Sequence, residues 1–382
     1  MKMLLKYYLV FNLFLFSSLF ADDEYMIYYG LNAGPNLVSF PILTDNSNIE
    51  SFFTIDNSIF LSQNNVDQNI ITLISEGEFG VQIDSNWNGS LDNIHSDQGY
   101  WIILDQPINF LLLGDQLNQN LYFFHQGANL ISYPFNIEQS STDALNSFFT
   151  GDNYAIIGEN QALLSINNTW WGSLDTFVPG KGYWFIVNSS TPFAYNTPQE
   201  NFASNINPDT HDEDEELPYN LSTLQSIFFV ETIYISGQEI IGDYTVDLYC
   251  NDILVGQKNS FSTYTDIIAM GDDGFDHTQN YCEQNQDVLF KSPTLDYPFH
   301  LLKGNNEWLA YNFNINILSD TKFGDLNFNN IINITDVIIM LEHIIDSFEI
   351  LNNHQLLLSD INQDQSINIA DIIINIETIL EN

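Results

Sequence analysis

The sequence predicts a multidomain, mainly β protein: a duplicated β-rich module with some helix (α+β), then an antiparallel β-sandwich, then a small α-helical tail. Three observations support this. Motifs rich in Trp and Gly occur twice between residues 28 and 196. Residues 226–235 and 244–249 alternate between apolar and polar side chains, and residues 322–382 hold two acidic loops that each precede an aliphatic run. A chain of 382 residues has room for about two to four domains.

Residues 1–21 have the composition of a secretory signal peptide. Lys2 and Lys6 precede an apolar run that ends at Phe20, and Ala21 stands before an acidic stretch. An uncleaved membrane anchor is the alternative, because the run is nearly long enough to span a bilayer. No later segment of the sequence is long and apolar enough to cross. We therefore expect an exported protein, secreted or held at the cell surface, with no membrane span after signal removal.

Two β-rich repeats follow, at residues 25–115 and 120–197. Residues 36–41 recur as 129–134, 49–54 as 145–150, 87–92 as 170–175, and 99–103 as 182–186. Short β-branched and aromatic stretches between Gly and Asn turns predict strands. One helix is predicted at residues 142–149, capped by Thr142 or Asp143, and the first repeat has extra residues near 63–69. These motifs resemble the repeated W-x-G-S-L and G-Y-W units of large bacterial exported and surface proteins, a resemblance that implies no particular activity.

Most of the tryptophans lie in the two repeats, and they allow two interpretations. The residues concerned are Trp87, Trp101, Trp170, Trp171 and Trp184. Paired tryptophans are expected in the core because the fold itself is repeated. The alternative is an aromatic platform on which sugar rings stack. Trp171 aligns with Asn88, and a position that accepts both residues is expected to be exposed. Trp171 is therefore the candidate carbohydrate contact.

Residues 198–219 predict a linker, because the acidic run at 212–216 repels itself and stays solvated. Residues 220–320 predict the antiparallel β-sandwich from their alternating pattern, and they resemble a β-module that often accompanies such repeats in exported proteins. Cys250 and Cys282 are the only cysteines in the sequence, and both lie in this domain. In an exported chain this favours a disulfide between them, with two buried free thiols as the alternative.

The two acidic loops, at residues 325–336 and 360–371, have the ligand spacing of an EF-hand calcium loop. Oxygen-bearing side chains stand at positions 1, 3, 5, 9 and 12, and position 7 supplies its carbonyl. The first set is Asp325, Asn327, Asn329, the Ile331 carbonyl, Asn333 and Asp336; the second is Asp360, Asn362, Asp364, the Ser366 carbonyl, Asn368 and Asp371. Two Ca²⁺ ions are expected. The second loop has more carboxylates and should bind more tightly.

A duplicated loop followed by a helix, with Asp at position 12 and Asn at position 9, resembles a type I dockerin domain over about residues 322–382. The resemblance implies one calcium ion for each loop, docking onto a cohesin partner, and an association with polysaccharide-degrading enzymes. Asn330 and Gln365 replace the usual Gly at position 6, so a strained turn is expected. At positions 10 and 11, where the family has hydroxyl pairs that help to select the cohesin, this sequence has Ile334-Thr335 and Ile369-Ala370.

Charge and motifs limit the remaining functions. With a net charge of −43 and only seven basic residues, all Lys, the chain cannot neutralise nucleic-acid phosphates or an anionic membrane. The sequence contains no recognisable catalytic motif, and no catalytic residue is predicted. We expect a non-catalytic, calcium-binding modular protein whose tail mediates attachment to another protein. The alternative is a carbohydrate-binding or hydrolytic component of polysaccharide degradation, recruited through the tail.

Overall fold

The computed structural model describes residues 25–43, 47–53, 69–116, 120–145, 154–198, 217–345 and 351–381. The chain divides into two compact units, the first formed by Met1–Glu159 with Leu174–Asp214 and the second by Asn160–Ser173 with Glu215–Asn382. The predicted signal peptide, the acidic run of the linker and most of the extra residues near 63–69 lie outside the described residues. The boundaries of six segments inferred from the sequence remain predictions.

The structure is mainly β, with a small helical region at the C-terminal end, as predicted. In the repeat region the strands are β1 Tyr25–Leu31, β2 Gly34–Ser39, β3 Ile42–Leu43, β4 Ile70–Ser75, β5 Glu78–Ile83, β6 Asn86–Gly89, β7 Gly99–Leu104, β8 Ile108–Gln116, β9 Leu121–Phe124, β10 Gly127–Ser132, β11 Gln139–Ser140, β12 Tyr154–Ile157, β13 Ala162–Ile166, β14 Thr169–Gly172, β15 Thr176–Phe177, β16 Gly182–Val187 and β17 Thr191–Ala194. The short helices α1 Ile49–Phe52 and α2 Ser141–Ala144 lie among them.

The repeated sequence motifs fold into repeated topology. The first repeat forms a sheet in the order β2-β7-β4-β5-β6. In the second repeat β16 lies between β10 and β12 in the same way, and β13 and β14 form a hairpin as β5 and β6 do. The Gly-Tyr-Trp strands are central, and every residue of β7 is buried, which is why these strands read as continuous apolar runs.

The tryptophans of these strands are core residues. Trp101 is 1% exposed and Trp184 is 7% exposed, whereas Trp87 and Trp170 are half-buried. Helix α2 begins at Ser141, one residue before the predicted start at Thr142. Its N-cap is Ser140, whose Oγ accepts a hydrogen bond from the Asp143 backbone N–H, so the predicted cap at Thr142 or Asp143 is wrong.

The second unit contains the remaining strands. They are β18 Gln225–Ile235, β19 Gln238–Glu239, β20 Gly242–Cys250, β21 Ile253–Phe261, β22 Thr265–Met270, β23 Gln286–Asp287, β24 Leu289–Lys291, β25 His300–Lys303, β26 Glu307–Trp308 and β27 Phe313–Ser319. One sheet has the order β19-β18-β27-β25 with β22 also paired to β18, and a second has the order β21-β20-β24. Phe228 and Phe290 pack edge to face between these two sheets, with centroids 5.3 Å apart.

One strand pair departs from the predicted antiparallel arrangement. Strands β18 and β27 pair in parallel, with Ile227 opposite Phe313. A long excursion through the other strands separates the two, so the chain can return in the same direction. The Cys250 and Cys282 side chains, both buried, form a disulfide bond.

The tail contains α3 Ile334–Ile345, α4 Asn353–Ser359 and α5 Ile369–Glu381. Helix α4 begins with a capping box between Asn352 and Gln355. The tail has a small core of its own, made by Leu326, Val337, Met340, Leu351 and Ile372. A second apolar cluster joins the tail to the sheets, because Leu358 packs with Tyr234, Leu302 and Ile317. The tail and the sheets are therefore one packed unit.

Candidate metal centre

The two acidic loops have nearly the same internal hydrogen bonds. The position-1 carboxylate of Asp325 accepts from the backbone N–H groups of Asn329 and Asn330 at 3.2 and 2.7 Å. Asp360 accepts from Asp364 and Gln365 at 3.0 and 2.9 Å. In each loop this one side chain folds the backbone back around its own oxygens, so that successive side chains can converge.

The position-12 carboxylates close the loops from the first turn of the following helix. Asp336 Oδ1 accepts from the Leu326 backbone N–H at 3.0 Å, and its Oδ2 accepts from Asn333 at 3.0 Å. Asp371 makes the equivalent bonds to Ile361 and Asn368, both 2.9 Å long. Both carboxylates are fully buried. Each one therefore joins the start of its loop to the start of its helix.

The middle positions also match. Asn329 Oδ1 accepts from the Ile331 backbone N–H at 2.8 Å, and Asp364 Oδ1 accepts from Ser366 at 2.9 Å. The position-7 carbonyls of Ile331 and Ser366 accept from the side-chain amides of Asn333 and Asn368 at 3.1 and 3.0 Å. The exception is position 3, where Asn362 donates to Asp364 at 2.9 Å while Asn327 has a buried Oδ1 with no hydrogen-bond partner.

Position 6 adopts the left-handed backbone that the missing glycine would favour. The φ angle is 62° at Asn330 and 69° at Gln365, and position 4 is left-handed too, with 61° at Phe328 and 56° at Gln363. Non-glycine residues adopt this region at a cost. The expectation of strained turns is confirmed in both loops.

The first loop is the more deeply buried of the two. Asp325 is 1% exposed, whereas Asp360 is half-buried. Burial is the largest of the effects that raise the pKa of the Asp325 carboxyl, and the nearby Asp336 carboxylate raises it further. Phe328, at position 4 of this loop, packs against the rest of the unit, and its ring lies 5.1 Å from the His354 ring. His354 in turn stacks on Tyr234 of β18 at 4.4 Å.

The donor set of each loop fits a hard cation such as Ca²⁺. Carboxylates, amide oxygens and a backbone carbonyl are the ligands that calcium prefers, and a carboxylate oxygen that accepts an N–H keeps lone pairs for a cation. The amide oxygen Oδ1 of Asn327 has no hydrogen-bond partner, so its lone pairs are also available to a cation. Within the described residues, no group of three or more His, Cys, Asp or Glu side chains is arranged to hold a metal ion, so amides and carbonyls would have to complete each ligand set.

The helices after the loops expose matching apolar stripes. On α3 the stripe is Ile334, Ile338, Leu341 and Ile345, and on α5 it is Ile369, Ile373, Ile376 and Leu380. Each set follows the spacing of one helix face, and the two occupy equivalent positions after the two loops. Glu342 and Glu377 lie beside the stripes, again at equivalent positions, and both are exposed.

Trp171, the predicted carbohydrate contact, is half-buried rather than fully exposed. Its ring packs against Tyr264, with centroids 5.6 Å apart and planes tilted by 52°. A pocket of about 190 Å³ opens next to it, lined in part by Ser173, Tyr264 and Asp266. No local sequence pattern links Tyr264 or Asp266 to Trp171, because Tyr264 lies in the turn before β22 and Asp266 lies on β22, far along the chain.

Sequence reasoning also missed His354. It is fully buried, its Nε2 lies 2.9 Å from Ser319 Oγ, and it fixes the tail against β18 and β27. A single histidine in an apolar helix carries no motif that would reveal this.

Within the described part of the chain, no helix is long and apolar enough to cross a membrane.

Comparison of the chain with protein-family models, with curated proteins and with solved structures finds no match.

Proposed function

We propose that this chain is an exported, calcium-binding, non-catalytic modular protein whose C-terminal loop-helix pair attaches it to a protein partner. The observation that carries the proposal is the duplication of exposed apolar stripes on α3 and α5, each following an acidic loop. Exposed apolar surfaces of this kind are typical of interaction sites.

Calcium has a structural role in this proposal. Asp336 and Asp371 stand at the first turn of α3 and α5, so a cation bound in either loop would fix the orientation of the helix that follows. The ligands would be the six positions of each loop named above. A bound cation also offsets the repulsion between carboxylates that lie close together, such as Asp325 and Asp336. Metal binding and ordering of the stripes would then be coupled.

The partner should present an apolar patch with basic residues around it. Charge supports this, because the chain carries a net charge of −43 and Glu342 and Glu377 border the two stripes. Opposite charges around an apolar centre speed association and exclude wrong partners. A cohesin-like protein is one candidate for this partner, by resemblance alone. The disulfide between Cys250 and Cys282 is compatible with an extracellular location.

The test separates calcium from docking. The full chain, stripped with chelator, is titrated with Ca²⁺ by calorimetry, and about two ions per chain are expected. The chain is then used to capture proteins from the cell surface and medium of its host, with Ile338→Ser/Ile373→Ser as the matched variant. Capture that requires calcium and is lost in the variant supports the proposal. The absence of calcium binding, or capture that the variant retains, would overturn it.

A further inference from the structure

The second unit contains a small pocket outside the tail. It lies between the end of the β13–β14 hairpin and strands β21 and β22, and its volume is about 190 Å³. Side chains on the lining include Ser173, Ser260 and Ser262, together with Lys258 and Asp266. The lining is therefore rich in hydroxyl groups, with one cation and one anion.

Asp266 is a buried acceptor with spare capacity. It is 2% exposed, and its Oδ2 accepts a hydrogen bond of 2.6 Å from Ser173 Oγ. Its Oδ1 is buried and has no hydrogen-bond partner. The nearest cation is Lys258, whose Nζ lies 3.7 Å from Oδ1, which is beyond hydrogen-bond distance. A buried carboxylate oxygen of this kind is costly unless something donates to it.

An aromatic pair stands beside the polar pocket. Tyr264 lines the pocket, and its ring packs on that of Trp171. Both residues are half-buried. Tyr264 has a left-handed backbone with a φ of 56°. A bulky residue in that region is uncommon, and such strain is found where a side chain is held in place for a function.

We propose that this pocket binds a neutral sugar residue of a polysaccharide. A pyranose ring presents apolar C–H groups on its faces and hydroxyl groups around its edge. The aromatic pair can contact the C–H face, while Asp266 accepts from a hydroxyl and Lys258 donates to one. The lining is too polar for a fatty or aromatic ligand. A net charge of −43 repels polyanionic glycans, which selects the neutral sugars.

The hairpin provides a variant that preserves the fold. Asn88 occupies the position on the β5–β6 hairpin of the first repeat that Trp171 occupies on the equivalent β13–β14 hairpin of the second. Trp171→Asn therefore introduces the residue that the equivalent strand of the first repeat already has. Lys258→Gln is a second variant that leaves Trp171 in place. Asn88→Ala is the matched control, because it changes the equivalent strand of the other repeat.

Binding is measured on the full chain by saturation-transfer NMR and calorimetry, with methyl glucoside, methyl galactoside and methyl mannoside as probes and galacturonate as the charged comparison. Chelator is present throughout, so the result does not depend on calcium bound in the tail. We expect at least one neutral glycoside to bind, with about tenfold weaker binding after Trp171→Asn or Lys258→Gln and no change after Asn88→Ala. The proposal is overturned if none of the three binds, if galacturonate binds more tightly, or if both pocket variants bind as the unmodified chain does.

Discussion

The Glu76 carboxylate accepts a hydrogen bond of 3.0 Å from the backbone N–H of Leu130, which joins the first repeat to the second. An equivalent hydrogen bond joins the second repeat to the first, because the Glu159 carboxylate accepts from the backbone N–H of Leu37, also at 3.0 Å. Each repeat thus offers an acid from the end of one strand to the backbone of the other repeat. Two copies of one module are joined by reciprocal contacts, as in a symmetric dimer.

Removing either acid should destabilise the first unit. Glu159→Ala removes the acceptor of the Leu37 N–H and the ion pair with Lys181 at 3.0 Å, and we expect a loss of about 2 kcal/mol in the free energy of unfolding. Glu76→Ala should cost about 1 kcal/mol, because the side chain is more exposed and the partner of its other oxygen is His125. Urea unfolding measures both.

Glu78→Ala is the control for this pair, because Glu78 lies on the same hairpin and none of its described hydrogen bonds reaches the second repeat. An equal loss of stability in all three variants would contradict the specific role of the reciprocal contacts.

Much of the repeat region could be predicted from the sequence because its signals are local. The composition of the Gly-Tyr-Trp segments predicts buried strands, and Trp101 and Trp184 are buried in the structure. The loops also follow local rules, since each Asp at position 1 bonds to residues four and five positions later. Residues that are close in the sequence are then also close in the structure, so their contacts can be predicted from their spacing.

The remaining features depend on contacts between distant residues. The parallel pairing of β18 with β27 places Ile227 opposite Phe313. No local sequence pattern predicts whether two strands so far apart in the chain pair in parallel or antiparallel. The packing of the tail onto the sheets depends on Phe328, His354 and Tyr234 meeting from three separate segments. The covering of Trp171 by Tyr264 has the same origin. Periodicity cannot report which faces meet.

The disulfide should stabilise the second unit. It closes a loop between residues 32 apart, and such a closure is worth about 3 to 4 kcal/mol through the entropy of the unfolded chain. We expect Cys250→Ala/Cys282→Ala to lower the unfolding temperature of the second unit and to leave that of the first unit in place. Calorimetry with and without a reducing agent measures this. A variant that unfolds at the original temperature would show that the crosslink contributes nothing.

Asp364→Asn tests whether carboxylate number sets the affinity of the loops for calcium. The change gives the second loop the residue that the first loop has at position 5, Asn329, and keeps an oxygen to accept the Ser366 N–H. Because affinity rises with ligand charge, we expect the second site to weaken by about tenfold. Asn329→Asp is the reciprocal variant and should strengthen the first site. Calorimetric titration of the full chain with Ca²⁺ measures both, and unchanged affinities would refute the argument.

His354 should make the second unit sensitive to acid. Burial lowers the pKa of its imidazole to about 4 in the folded protein, against about 6.5 for an exposed histidine. Between these values the unfolded chain binds a proton that the folded chain excludes, so stability falls as the pH falls from about 6.5 to 4, by on the order of 2 kcal/mol.

His354→Phe keeps a ring between Tyr234 and Phe328 but has no proton to bind. Its stability should fall less than that of the unmodified chain over this window, even though the bond to Ser319 is lost. Unfolding experiments across the pH range, with an NMR titration of His354 itself, decide the matter. A midpoint near 6.5 would mean that the ring is not buried between the tail and the sheets.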